Sequence, residues 1–450
     1  MITLYCAQWV LPISSPAIVE GAIAVEGQSI LSVGKRTVLS TQFGEATIRD
    51  FGNSAILPGF INAHSHLELT AMRGFLEKEE TDFFAWLKKL TIARLERMTS
   101  EDLYVSAAWG VCEALRAGVT CVADASDGAF ESMKALCDAG LRGIVYQESF
   151  GPDPQLAKRN VKKLRDKVMR LRGLETPLVR CGISPHAPYT VSGPQLELIS
   201  EFAIDERLPL MMHAAETPME VSLMLEGVGP FADGLTRRGI EWKAPRISTI
   251  QYLKNYGVLK TRPLLAHCIH IDEADLETMR ETETAVAHCP KSNAKLSHGR
   301  APFGKMIKNK IAVGLGSDSV ASNNTCDLLE EARFALLLAR SGEDDGQERL
   351  SPDDLLQTAT LGAARALGLE GQIGELKEGL LADFVVVSLD LTHQVPSYDP
   401  VGTLIFTSSG RDVKLTVVAG QEVYRDGLVT TVDEERLRAR LSEVAAKLAS

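Results

Sequence analysis

Between residues 56 and 368 the chain alternates short apolar runs with longer stretches whose apolar positions recur every three or four residues. Eight runs stand out: "ILPGFINAH", "VTCVADA", "RGIVYQE", "LVRCGISP", "PLMMHAA", "LLAHCIH", "TAVAHCP" and "AVGLGSD". Each is continuously rich in Val, Ile, Leu and Ala, as expected of a strand covered on both faces. Between them, residues 101–117, 155–171, 195–204 and 327–339 carry the helical period. Asp153-Pro154 stands where a helix would start, and Gly118, Gly140 and Gly173 stand where three helices would stop. Eight β/α units joined by short linkers predict an α/β fold of the closed parallel kind, a (β/α)8 TIM-type barrel. The competing doubly wound sheet is not supported, because no G-x-G-x-x-G follows the first strand.

The two flanks change period. "AIVEGAIAVEGQSILSVG" near the start, and "DFVVVSLD" and "KLTVVAGQEVYRDG" near the end, alternate in strand fashion between glycine turns. They predict one small β-sandwich assembled from both chain ends: residues 1–55 as its first part, 56–371 as the barrel, and 372–450 as its second part plus a C-terminal helix. The helical stretch at 433–448 reads as a charged, solvated surface element. Residues 227–245, Gly-rich and between the fifth and sixth strands, read as an insertion. Neither they nor the loop at 76–84 carries readable chemistry.

Composition narrows the function classes. Apolar residues make up 45% and charged residues 24%, ordinary for a soluble globular protein. A net charge of −11 argues against a nucleic-acid partner, which calls for basic patches. No apolar run approaches the ~20 residues that span a bilayer, and the first residues lack a basic n-region, so neither a membrane partner nor export is expected. The eight cysteines are scattered without a C-x-x-C, which fits reduced thiols in a cytoplasm.

Barrel chemistry sits at the C-terminal ends of the strands. Here the runs end in His64-Ser-His66, Asp124, Glu148, His186, His213-Ala-Ala-Glu216, His267, His288 and Asp318, so six of the nine histidines collect on one rim. A single His-x-His pair is weak evidence, since about 0.2 arise by chance at this histidine content; the ring is not. Residues i and i+2 of a strand share a face, so His64 and His66 can both point into the mouth. With His213 and Asp318 they form an N3O set that suits one Zn²⁺ and leaves a position open for water; Fe²⁺ or Mn²⁺ could use the same ligands. Glu216 is placed to shuttle the proton that hydrolysis of a C–N bond requires. His267 reads as a partner of the water or of the leaving group, with direct ligation as the alternative. His288 is open between orienting other groups and packing, His270 reads as a surface or packing residue, and His298 and His393 are given no role. Glu68 and Glu148 face the same mouth and are assigned to substrate.

These residues bring a family into view. "LPGFINAHSHLEL", "SPHAPYT", "HAAET", "LLAHCIH", "AHCPKSNAKL", "GLGSDSVASNN" and "GELKEGLLADFVVV" occur in the order found in the amidohydrolase superfamily, which the chain resembles over almost its full length. The resemblance implies the barrel with a split sandwich and a metal held by His64, His66, His213 and Asp318. Strand four has no lysine to bridge two metals, so the chain looks like the mononuclear deaminase branch, with S-adenosylhomocysteine/methylthioadenosine deaminases, aminofutalosine deaminases and triazine hydrolases as kin. By similarity Glu216 is the proton shuttle, His267 the transition-state partner, Asp318 both ligand and water base, and His186 a substrate contact. The implied reaction is hydrolytic deamination of an amino-substituted N-heterocycle, with an adenine-type nucleoside favoured. The alternative is cleavage of another C–N or C–Cl bond, as in triazine hydrolases or guanine deaminases. The resemblance also implies a homo-oligomer. One departure is clear: "WLKKLTIARLERMT" lacks the proline of the adenosylhomocysteine deaminases, and Leu95 stands where their ribose-binding acid would be.

Overall fold

The structure, a computed structural model, describes residues 1–341 and 349–450. All eight runs form strands: β1 (Phe60–Ser65), β2 (Val119–Ser126), β3 (Arg142–Ser149), β4 (Val179–Pro185), β5 (Met211–Ala214), β6 (Leu264–His267), β7 (Ala285–His288) and β8 (Val313–Leu315). β1 to β4 pair in parallel, as do β5 to β8. Two single bridges join these halves into a ring. Ile183 pairs with Leu210 at the β4/β5 seam, and Ser65 with Asp318 at the β8/β1 seam. At the second seam the Asp318 amide donates to the His64 carbonyl at 2.9 Å, so barrel closure itself brings these two residues together.

Most helices fall where the period places them: Ser100–Arg116, Ala157–Arg172, Gly193–Glu206 and Leu328–Arg340. Asp153 accepts from the Gln155 amide at the predicted start. Gly118 and Gly140 end their helices in the left-handed region, at φ of 81° and 70°. Gly173 ends its helix with an ordinary right-handed φ of −69°.

The first run is two elements rather than one. Ser54–Pro58 pairs antiparallel with Phe384–Ser388 in the flanking sheet, and only Phe60 onward enters the barrel. The flanking sheet therefore runs through residue 58. Gly59 between them packs so tightly that a Cβ there would lie 2.1 Å from the Thr120 side chain. The flanking domain is one continuous nine-stranded sheet, with Ser54–Pro58 between Ile2–Val10 and Phe384–Ser388, which stitches the two chain ends together. It curls around a core that includes Tyr5, Ile23, Ile56, Phe384 and Leu415. A buried ion pair, Arg142 of β3 with Asp383, fastens it to the barrel at 2.7 and 2.9 Å.

The C-terminal helix, Glu434–Ala449, is less solvated than its charge suggests. It buries Val444 and Leu448 and packs on Ser100–Arg116, where Arg116 pairs with Glu434. The insertion at 227–245 contains a helix, Pro230–Arg237, and its Phe231 stacks on Tyr189 with ring centroids 4.1 Å apart.

Candidate active site

The strand ends converge as the pattern requires. His66 Nε2 lies 3.2 Å from His213 Nε2, and Asp318 Oδ1 lies 3.4 and 3.5 Å from the Nε2 atoms of His64 and His66. Four donors around one tetrahedral ion, with Zn–N of about 2.0–2.1 Å, stand about 3.3 Å apart, so the set is spaced for a shared cation. Its state of satisfaction agrees. His64 Nε2 is buried without a hydrogen-bond partner among the described residues. His213 has its Nδ1 within 2.8 Å of the His186 carbonyl, which fixes that nitrogen as the donor and turns the Nε2 lone pair inward. Burial holds His64 down to about 4 and His213 well below the usual histidine range, so both are neutral donors. Burial alone would raise the Asp318 carboxyl, but His64, His267 and His66 hold it well below the ordinary value, as an anion. Ser292 and Ser322 hydroxyls and the Ser319 amide complete its shell at 2.5, 3.0 and 2.7 Å. Imidazoles and a carboxylate in this spacing fit a divalent metal.

Beside this cluster lies Glu216. Its Oε2 accepts from the Tyr189 hydroxyl at 3.0 Å, and its Oε1 lies 3.6 Å from His267 Nε2. His267 is oriented from behind by Asn293 Oδ1, 2.8 Å from its Nδ1. The turn carrying Glu216 is strained, with Ala215 at a φ of 51°; His267, Cys268 and Asp318 also have positive φ. A buried carboxylate stabilises that turn: Glu220 accepts from the Ala215 amide, the Glu216 amide and the Thr249 hydroxyl at 2.8, 3.1 and 2.7 Å. A cavity of about 440 Å³ opens over the cluster, lined by His66, Glu148, His186, Glu216 and Asp318 and walled by helix Phe83–Arg97.

Residues 55–423 match the Amidohydrolase family. The chain belongs to that family. Its relatives include a 5-methylthioadenosine/S-adenosylhomocysteine deaminase of Symbiobacterium thermophilum, 32% identical over 98% of this chain and 97% of the relative. Another protein with the same description, from Syntrophobacter fumaroxidans, is 31% identical over 94% and 93%. Among solved structures, an adenosine deaminase from Xanthomonas campestris with bound zinc superposes with a TM-score of 0.86 at 25% identity, covering 99% of this chain and 98% of that one. An aminofutalosine deaminase from Helicobacter pylori, at 21% identity and a TM-score of 0.78 over 94% of this chain and all of that one, shares the fold. As a family member the chain is a hydrolase, and no helix among its described residues is long and apolar enough to cross a membrane.

The remaining sequence-assigned residues fall into distinct settings. His186 lines the cavity, with its Nδ1 2.8 Å from the Thr190 hydroxyl oxygen. Glu148 lies beside it, and burial pushes its carboxyl up to about 7. Glu68 lines the cavity but is already engaged: Arg94 grips both oxygens at 2.9 and 3.2 Å, and the Gly128 amide donates at 2.8 Å. Asp124 lies behind the His pair, accepting from the Leu67 amide and the Ser126 hydroxyl. His288 stacks on Phe303 outside the four-donor cluster. His393 pairs with Asp412 in the flanking domain.

His298, given no role by the sequence reading, is buried at the site with Nε2 3.5 Å from Glu216 Oε1. His270 supports it, its Nε2 2.9 Å from the His298 carbonyl. Glu220, Asn293, Tyr189 and Arg94 were likewise missed. Only Glu220, four residues beyond Glu216 on the start of helix Pro218–Leu225, had a sequence signal, as an acid where the amides of a preceding turn need an acceptor.

Proposed function

We propose that the protein is a metal-dependent aminohydrolase that deaminates an amino-substituted N-heterocycle, with an adenine-type nucleoside such as methylthioadenosine, adenosylhomocysteine, adenosine or aminofutalosine as substrate. The observation that carries this reading is the position of Glu216, a buried carboxylate 3.6 Å from His267 Nε2 that lines the same cavity as His66, His213 and Asp318. Relatives described as deaminases over nearly the whole chain support it.

In this reading His64, His66, His213 and Asp318 hold one zinc ion, which supplies a Lewis acid that acidifies water. As the water oxygen attacks the ring carbon bearing the amine, it gives one proton to Glu216 and the other to Asp318, and the latter proton ends on the neighbouring ring nitrogen. Glu216 then delivers a proton to the departing nitrogen, the C–N bond breaks, and ammonia leaves. His267, held by Asn293 through Nδ1, presents Nε2 to the attacking oxygen and stabilises the tetrahedral intermediate. His186 and the walls of the cavity orient the ring, while Glu68 acts by fixing Arg94 in the wall. Eight free cysteines, seven of them buried, accord with a cytoplasmic location, and a homo-oligomer is part of the same reading.

The test is ammonia release from zinc-loaded protein offered adenosine, methylthioadenosine, adenosylhomocysteine, aminofutalosine, guanine and triazines. Glu216→Gln should keep its zinc and lose on the order of 10²-fold or more in kcat. Release of chloride or an alkylamine instead of ammonia would overturn the reading, as would unchanged turnover in the variant.

A further inference from the structure

Among the carboxylates lining the cavity, four are engaged. Glu68 and Asp127 share Arg94, Asp127 also pairs with Lys167, Asp318 has its serine shell, and Glu216 accepts from Tyr189. Glu148 is the exception. It is nine-tenths buried, and its Oε1 has no hydrogen-bond partner among the described residues. It stands at the end of β3, with a carboxylate oxygen within 4.8 Å of ring nitrogens of His186 and His213, so it borders whatever lies over the metal ligands.

An acceptor left this way is costly unless a ligand supplies the donor. The wall formed by helix Phe83–Arg97 offers none free: it presents Phe83, Trp86, Leu87, Leu90 and Leu95, the Thr91 hydroxyl donates to the Leu87 carbonyl at 2.8 Å, and the guanidinium of Arg94 is engaged by two carboxylates. An adenine ring substituted at N9, as in a nucleoside, does not supply it either. Apart from the amine that departs, its ring nitrogens only accept.

We propose that Glu148 is a specificity-determining residue that accepts a hydrogen bond from a substrate donor other than the departing amine. Resting on the deaminase reading, this narrows the substrates to amino-heterocycles that carry either a sugar hydroxyl or a second amino or ring N–H group at that point. The two sources share one chemistry and are separable by experiment. A site built around such a bond discriminates against analogues that lack it, because the buried acceptor is then stranded.

The experiment uses two pairs of compounds on zinc-loaded enzyme: adenosine against 2′,3′,5′-trideoxyadenosine, and 2,6-diaminopurine against 9-methyladenine. kcat/KM is read from ammonia release, and dissociation constants are read by calorimetry on zinc-loaded Glu216→Gln protein. One pair should differ by at least about 20-fold in favour of the donor-bearing member. The first pair assigns the donor to the sugar, the second to the ring. Glu148→Leu should close that gap to under about threefold, and Glu148→Gln, which keeps an acceptor, should retain part of it. The proposal is overturned if neither pair differs, or if the leucine variant keeps the full gap. It is also overturned if wild type holds two equivalents of zinc and the leucine variant one, since Glu148 then serves a cation. Selective binding without ammonia release would sink the deaminase reading and leave the role of Glu148 standing; ammonia release without selectivity would do the reverse. Failure of all four compounds to bind removes both.

Discussion

Replacing Glu220 by leucine tests how the catalytic turn is built. The side chain is fully buried, and its two oxygens serve three donors: the amides of Ala215 and Glu216 and the Thr249 hydroxyl. Leucine fills a similar volume and accepts nothing. Three stranded donors cost roughly 1–2 kcal/mol each, about 3–6 kcal/mol together. Ala215, held at a φ of 51°, can then relax and return about 1 kcal/mol. The expected net loss is about 2–5 kcal/mol, read as a lower urea midpoint of zinc-loaded protein at unchanged m. Because the same amides set the height of Glu216, kcat should fall by at least about tenfold while KM changes little. Glu220→Gln keeps one acceptor oxygen and should lose about half as much stability. A leucine variant within about 1 kcal/mol of wild type and with full kcat would refute the claim that this carboxylate clamps the turn.

His298→Phe should keep the packing on Phe83 and remove the nitrogen 3.5 Å from Glu216. A kcat loss of about tenfold at little-changed KM, partly restored in His298→Gln, would mark a positioning role; an unchanged kcat would mark mere packing. Burial, with the charge of His267, holds His288 down to about 3 from 6.5, so it is neutral when folded and takes a proton on unfolding. Its contribution is fully present above pH 6.5 and is lost as pH falls, by about 2 kcal/mol at pH 5; His288→Gln should flatten the stability profile of wild type over that window by about that amount. Asp383→Ala leaves Arg142 buried without its partner and should cost about 3–5 kcal/mol in chemical unfolding. The double replacement Arg142→Met, Asp383→Leu should recover most of it.

Strand identity and the side chains that gather at the barrel mouth were legible because each follows from local pattern. A doubly covered parallel strand must be apolar throughout, so all eight runs were visible, and barrel chemistry must gather at strand ends, so His64, His66, His213, Glu216, His267 and Asp318 could be picked from residue type and place. What stayed hidden depends on partners distant in the chain. Ser54–Pro58 reads as one run with β1, because only pairing with Phe384–Ser388 assigns it to the flanking sheet. Glu68 looks like a free acid until Arg94, 26 residues on, takes both its oxygens. His298 sits in a polar stretch without strand pattern, and only the fold of that loop over the mouth brings it to Glu216. Sequence alone therefore determined which elements form and which chemistry their ends carry, since periodicity and side-chain type are local. Which carboxylates are already satisfied, and which one waits for a ligand, was decided by tertiary structure, since that depends on donors brought in from elsewhere in the chain.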